Sequence, residues 1–390
     1  MKRLNLILIV AFGISILVGC SKPIVIGYID NMTGFSGRKG KEFMMAAQIA
    51  IEEKNKLGGI KGHKFVLKAV DTEGNLNKAL SAMDNFIAQK VFAVIGGPEL
   101  AEKAQNAKIP LMIVNSRDKV NLPSRDYIFR NVLSYEHEAK VFAKYVYNVM
   151  NIKKLAILAV TNSYGLQIVE NFKNSYIEEG GVIAIEKYIH HIEDPYSDES
   201  DFKEELNAIK GKADVIFIPN PAIENQRILI SADELNMKVK FISTSSYADP
   251  DVFTEARNLA NGVYFSNIPE DLTESTPARE KYEKAFEAKF KLTPSFESIN
   301  SYDAVRLLIA AIEKTYEEAS PEEKASLKLN PEKLKENILN TKDFEGTMLK
   351  LSVLPNGEVN KEVGIFKSEF MGFVQQAVYI LQDGKLVQVK

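Results

Sequence analysis

From residue 24 to residue 131, short apolar runs alternate with stretches in which apolar residues return every three or four positions. Ile24-Val25-Ile26-Gly27-Tyr28-Ile29, closed by Asp30-Asn31, reads as a buried strand. Phe43, Ala46, Ala47, Ala50 and Ile51 then define one face of a helix that Gly58-Gly59 ends. Further strands are expected at 64–70, 92–95, 110–114 and 127–132. A helix carrying Leu80, Met83, Phe86 and Ile87 and a short one at 99–107 lie between them. The loop Thr33-Gly34-Phe35-Ser36-Gly37-Arg38-Lys39-Gly40 leaves amides at a helix start beside a strand end, where small polar or anionic ligands settle in open α/β sheets. It lacks both the dinucleotide and the phosphate-loop spacing, and an ordinary strand-to-helix turn explains it equally well.

The same alternation repeats, with strands expected at 155–160, 182–188, 215–218, 240–243 and 262–265 and helices at 165–179, 201–210 and 223–235. Two long helices follow at 276–290 and 301–315. A charged helix–loop at 317–330 reads as a solvated insertion, and 344–390 is strand-like, with hairpin turns at 355–358 and 382–385. Repeated strand–helix alternation predicts parallel, doubly wound α/β sheets, and two such sheets predict two lobes with a cleft between them.

The N-terminus belongs to neither sheet. Lys2 and Arg3 precede an apolar stretch to Val18, and Leu17-Val18-Gly19-Cys20 resembles a bacterial lipobox. The expectation is a lipoprotein signal peptide over 1–19 and lipidation of Cys20; an uncleaved anchor is the alternative. Cys20 is the only cysteine in 390 residues, so the body cannot use an internal disulfide. The chain carries a net charge of −3 and no basic stripe, which argues against a nucleic-acid partner. His190-His191 with Glu193, Asp194 and Asp198 looks like a metal cluster only on paper, because neighbours in a strand point to opposite faces. Asp71 and Glu73 have no nucleophile or positioned base beside them, so neither an enzyme nor a metal or cofactor is expected.

Pieces spread over nearly the whole chain carry a likeness. They are Ile26-Gly27-Tyr28 with Thr33-Gly34, Ala50-Ile51-Glu52-Glu53-Lys54-Asn55 with Gly58-Gly59-Ile60-Lys61-Gly62, and Ala93-Val94-Ile95-Gly96-Gly97. Asp126-Tyr127-Ile128-Phe129-Arg130, Tyr164-Gly165, and Pro294-Ser295 with Tyr302-Asp303-Ala304-Val305 complete the set. In order and spacing they resemble the type I periplasmic solute-binding proteins that serve branched-chain amino-acid ABC importers. The resemblance implies a Venus-flytrap of two lobes joined by three hinge crossovers: 23–133 plus 268–343, and 134–267 plus 344–390. It implies a monomer, tethered to the membrane by its N-terminal lipid, that delivers a small-molecule solute to permease subunits. By position, first-lobe contacts fall at Gly97, Pro98, Glu99, Asn115, Ser116 and Arg117, and second-lobe contacts at Tyr164, Asn220, Ser245 and Ser246. Thr33 and Lys39 flank the first loop. Hydroxyls at Thr33 and Ser116 also suit caps and turns, Arg117 a surface loop, and Tyr164 a helix-start aromatic.

The chain departs from that pattern at its pocket. The acid that would hold a ligand amine is missing from Thr244-Ser245-Ser246-Tyr247, and a buried ammonium without a carboxylate is costly. Pro98 has no N–H to offer, while Lys39 and Arg117 add positive charge. An acid or amide is therefore expected over a zwitterionic amino acid. The altered loops and the 317–330 insertion keep open a second class of function, a regulatory or envelope-assembly lipoprotein that touches another protein.

Overall fold

The computed structural model describes residues 21–34, 37–122, 124–194, 200–269, 276–348 and 350–390. The expected signal peptide at 1–19 and Cys20 lie outside the described residues.

The first sheet contains β1 (Ile24–Asp30), β2 (Phe65–Asp71), β3 (Ala93–Ile95), β4 (Leu111–Ile113) and β5 (Ile128–Arg130), all parallel, in the order β2-β1-β3-β4-β5. Helices α1 (Gly37–Lys56), α2 (Leu76–Gln89) and α3 (Ala101–Ala107) connect these strands. The chain then enters the second lobe through α4 (Tyr135–Asn148), which Ser134 caps by accepting the N–H of His137. There β6 (Lys154–Val160), α5 (Ser163–Glu178), β7 (Val182–Ile189), α6 (Lys203–Ile209), β8 (Val215–Phe217), α7 (Ala222–Glu234), β9 (Lys240–Ser243) and β10 (Tyr264–Asn267) repeat the pattern, with strand order β7-β6-β8-β9-β10. Helices α8 (Pro277–Phe290), α9 (Ile299–Glu318), α10 (Pro321–Ser326) and α11 (Pro331–Leu339) return to the first lobe. A small ladder of β11 (Phe344–Glu345) and β12 (Lys350–Leu351) follows. Finally β13 (Val363–Glu369), β14 (Gly372–Gln382) and β15 (Lys385–Gln388) extend the second sheet antiparallel beyond β10.

Each sheet is covered on both faces. In the first lobe α1, α8 and α9 pack on one side, around Phe43, Tyr282, Phe286 and Leu308, and α2 and α3 on the other, around Met83 and Phe86. In the second lobe α4 and α5 bury Phe142, Phe172 and Phe217, and the opposite face holds Tyr247, Phe265 and Phe366. The repeated strand order gives each lobe a point where neighbouring connections leave in opposite directions, between β1 and β3 and between β6 and β8. Ligand crevices form at such points.

The last passage between lobes falls near residues 360–362, not at the expected 343/344. Leu351, Val353 and Val359 belong to the first-lobe core, whereas Val363 belongs to the second. Alternating strand-like sequence does not say which core it serves. The charged 317–330 stretch is a helix–loop, yet Leu327 and Leu329 pack on the first-lobe core and anchor it.

Candidate ligand-binding cleft

The first-lobe wall is built from strand ends. Asp71, at the end of β2, accepts the N–H groups of Met32 and Glu73 at 2.9 Å each, and the Thr33 hydroxyl. Those bonds hold its carboxyl below the usual range and fix the loop after β1. Asp30, at the end of β1, accepts from the Asn31 N–H at 2.8 Å, the Tyr28 hydroxyl at 3.2 Å and Asn115 Nδ2 at 2.5 Å. Burial, with Glu99 and Asp71 nearby, outweighs these bonds and pushes its pKa up to about 6. The first turn of α1 lies hard against this corner, where a Cβ on Gly40 would stand 2.1 Å from the Asn31 carbonyl oxygen. Beyond β3, the Glu99 carboxylate folds back over Gly97, 2.2 Å from where a Cβ would sit, and Pro98 opens the short turn that precedes α3.

The loop after β4 crosses to the second lobe. Arg130, buried at the end of β5, donates to the carbonyls of Ser116 at 2.6 Å and Asp118 at 2.5 Å, gripping the loop on both sides of Arg117. Arg117 donates from Nε to the Leu133 carbonyl at 2.8 Å, from Nη1 to Ser245 Oγ at 3.1 Å and from Nη2 to Glu138 Oε2 at 2.5 Å. Its guanidinium lies 4.6 Å from the centre of the Tyr135 ring, a cation–π stack. Glu138 is fully buried, and also accepts from the Ser245 N–H at 2.9 Å, Ser245 Oγ at 3.0 Å and Ser266 Oγ at 2.8 Å. Four charge-assisted bonds account for a carboxylate held out of water.

Tyr164, in the first turn of α5, meets Tyr135 edge-on at 5.0 Å and shares a 2.7 Å hydrogen bond with Thr244 Oγ1. Burial drives its phenol well above the ordinary range, so it stays neutral. A cavity of about 690 Å³ opens here between Asp118, Lys119 and Asn121 on one side and Tyr135, Asn162, Ser163 and Tyr164 on the other. Its rim is bridged by the Lys119 N–H to Gln167 Oε1 at 2.8 Å and by Lys119 Nζ to Glu170 at 3.3 Å. The volume suits a small metabolite.

The structure therefore joins Arg117 directly to Ser245, links Tyr164 to Arg117 through Tyr135 and to the residue before Ser245 through Thr244, and places Asn115 on Asp30. Ser116 contributes its carbonyl to Arg130 and its hydroxyl to Asp118 at 3.3 Å. Ser246 follows Ser245 on the same short turn. Two expected contacts are committed elsewhere. Asn220 is fully buried, accepting the Val160 N–H at 2.6 Å and donating to the Leu158 carbonyl at 3.0 Å, so its amide ties β6 to the end of β8. Lys39 pairs with Glu297 and lies over the Phe43 ring, turned toward the helix side of the lobe. His190 and His191 do part company: His191 Nδ1 meets Glu224 at 2.6 Å and His190 Nε2 meets Ser200 at 3.0 Å. Among the described residues no group of His, Cys, Asp and Glu is arranged to hold a metal ion, and no helix is long and apolar enough to cross a membrane.

Sequence reasoning missed Asp30, Tyr135 and Glu138. Asp30 was visible as a strand-end carboxylate. Glu138 carries no signal, because it sits among Glu136, Lys140 and Lys144 on a helix that reads as charged.

The sequence profile of the periplasmic binding proteins matches residues 23–369. The Leu/Ile/Val-binding protein homolog 3 of Brucella melitensis is 26% identical over 301 residues, covering 75% of this chain and 79% of that protein. The branched-chain amino acid transporter substrate binding protein LivJ of Streptococcus pneumoniae, solved with isoleucine, shares the fold with a TM-score of 0.61 at 23% identity, covering 94% of this chain and all of that one. A solute binding protein from Rhodopseudomonas palustris BisB5, solved with 3,4-dihydroxy benzoic acid, does so with a TM-score of 0.62 at 20% identity, covering 93% and 98%.

Proposed function

The chain belongs to the periplasmic binding protein family, and on that premise we propose that it is a lipid-anchored extracytoplasmic receptor. It captures a small amino-acid-like, amide or carboxylate solute between its lobes and presents the closed form to the permease subunits of an ABC importer. The observation that carries this reading is the cleft itself. Arg117 reaches from one lobe to Ser245 and Glu138 of the other, beside a metabolite-sized cavity walled by both lobes. The Leu/Ile/Val-binding name of the Brucella relative supports an amino-acid-like solute. The Leu-Val-Gly-Cys stretch ending at Cys20 supports the lipid anchor.

The test is a thermal-shift screen of the full chain against amino acids, their amides and simple carboxylates, followed by small-angle scattering with any binder. A true ligand at a hundred times its Kd adds about 2.7 kcal/mol to the native state, a rise of several degrees. Binding is expected to shrink the radius of gyration as the lobes close. If no small molecule shifts the melting point, the receptor role fails. The Glu99 carboxylate folded over Gly97 then favours the second reading, a flytrap lipoprotein that engages another protein of the envelope.

A further inference from the structure

We propose that a groove at the base of the first lobe binds an anionic phospholipid of the membrane that tethers the chain, with an acyl chain along its apolar floor and the phosphate at its lysine rim. This goes beyond solute capture. It rests on the membrane anchoring proposed above and is independent of what the cleft binds.

The groove lies at the end of the first sheet away from the cleft. β1, β3 and the approach to β4 begin there, with Val25, Phe92 and Ile109 on the floor, and α11 closes the far side with Leu334. It encloses about 540 Å³. The charged 317–330 stretch supplies one bank, through the same Leu327 and Leu329 that anchor it to the lobe. Val25, Phe92 and Leu329 are only half-buried, so the trough leaves apolar surface facing water.

The rim carries one sign of charge. Lys22, Lys90, Lys108 and Lys328 line the groove and no Asp or Glu does, in a chain whose net charge is −3. Glu332 answers Lys108 at 2.8 Å. Lys22, Lys90 and Lys328 are exposed and have no carboxylate partner among the described residues. An apolar trough edged by unpaired ammonium groups fits an amphiphile with an anionic head.

The start of the chain selects the source of that amphiphile. The Ser21 hydroxyl donates to the Gly62 carbonyl at 2.6 Å, and His63 Nδ1 lies 2.8 Å from the Lys22 carbonyl, so the first described residues are pinned beside the groove. Lys22 follows Cys20 by two residues and Val18, the end of the apolar stretch, by four. Extended chain spans at most about 3.6 Å per residue, so either kind of anchor puts the bilayer within roughly 7–14 Å of Lys22. A lipidated Cys20 holds Lys22 within one Debye length of the headgroups, where anionic lipid attracts each lysine.

The experiment places the full, anchored chain in vesicles made of equal parts phosphatidylcholine and phosphatidylglycerol. One lipid or the other carries a photoreactive group on its acyl chain. The phosphatidylglycerol probe is expected to label peptides covering 87–92, 107–109 and 327–334 at least tenfold more than the phosphatidylcholine probe does. The triple variant Lys22→Gln, Lys90→Gln and Lys328→Gln removes exposed charges that hold no partner, so it should melt as the wild type does and lose that preference. Equal labelling by both probes, or a preference unchanged in the triple variant, would show that the rim does not read the headgroup and would overturn the assignment. So would an anchored chain whose groove takes neither probe. Labelling of the groove only by a photoreactive acyl group built into the chain's own N-terminal lipid would overturn it too, in favour of that lipid as the occupant. A chain that a buffer wash strips from the vesicles would refute the anchor and this assignment together, while thermal shift still reports on the solute site.

Discussion

Arg130 and Glu358 stand side by side where two passages of chain between the lobes run parallel, with guanidinium Nε 3.4 Å from carboxylate Oε1 and both side chains buried. The backbones are laced as well, through the Arg130 N–H to the Gly357 carbonyl at 3.1 Å and the Val359 N–H to the Arg130 carbonyl at 2.8 Å. Glycine is required at 357, where φ is +84° and a Cβ would lie 2.2 Å from the Ile128 carbonyl oxygen. Burial works against both charges, lowering the arginine pKa and raising that of the glutamate, and each partner counters the effect on the other. Arg130→Ala strands Glu358 and releases the loop that aims Arg117. It is expected to cost roughly 3–5 kcal/mol in urea unfolding. A methionine pair at both positions is expected to recover most of that loss, because a buried ion pair replaced whole costs little. Solute affinity would not recover with it, since Ser116 and Asp118 would still lack their anchor.

Two buried groups titrate against each other. Asp30 has its pKa raised to about 6, so its contribution to stability is complete below the ordinary aspartate value near 4 and is lost as pH rises through 6. His137, buried on α4 with Nε2 2.9 Å from the Lys361 carbonyl, has its pKa lowered to about 4. Its contribution is complete above 6.5 and is lost as pH falls through 4. Each swing amounts to roughly 3 kcal/mol, in opposite directions over nearly the same window. The wild type is therefore expected to show a nearly level urea midpoint between pH 4 and 6.5. His137→Gln should leave a protein whose stability falls as pH rises across that window, and Asp30→Asn one whose stability falls as pH drops. A His137→Gln midpoint that stayed level would refute the pairing.

The strand–helix alternation made both sheets legible in the sequence, because each strand is a short apolar run and each helix shows one apolar stripe. Tyr164 and Arg117 each follow a strand end in the sequence, and the structure brings them together through the Tyr135 ring. Glu138 was not legible. Its partners Ser245 and Ser266 lie 107 and 128 residues away, and no local pattern distinguishes it from the solvated acids beside it on α4. Asn220 erred in the other direction. A strand-end asparagine suits a ligand, but here the neighbouring strand ends left backbone groups at Leu158 and Val160 that needed it more. The boundary near 343 failed because residues 344–359 are extended in sequence but pack by non-local contacts, which fix Leu351 and Val353 against the first lobe.

Phe172 holds the second lobe together on the α4–α5 side. Its ring is fully buried and stacks on Phe217 at 4.1 Å, on Tyr176 at 5.6 Å and, tilted, against Phe142 at 6.1 Å. Phe172→Ala would leave a cavity that three surrounding rings cannot collapse into, at a cost of roughly 3–5 kcal/mol. Phe172→Leu should recover more than half of that. Because the first lobe has its own core, the transition of the alanine variant is expected to broaden or split, with second-lobe amides exchanging first. Uniform exchange across both lobes would show instead that they unfold as one unit.

Gly40 tests how tightly the first-lobe wall is drawn. In an ordinary helix, glycine to alanine stabilises by roughly 0.5–1 kcal/mol, since the unfolded chain loses freedom. Here the added methyl would stand 2.1 Å from the Asn31 carbonyl oxygen and 2.9 Å from the Asp30 carboxyl carbon. The first obstacle is backbone and cannot swing aside. Overpacking of this kind costs about 1–3 kcal/mol, so the clash outweighs the entropy gain and Gly40→Ala is expected to destabilise the protein. The relief open to it is a shift of α1 away from the ends of β1 and β2, which would disturb the bonds of Asp71 to Met32 and Glu73 and the contact of Asp30 with Asn115. Solute affinity should then fall at least tenfold while the second lobe keeps its hydrogen-exchange protection. A Gly40→Ala protein that melts higher than wild type would mean that α1 can slide at no cost, and that the first-lobe wall is not held in register by this contact.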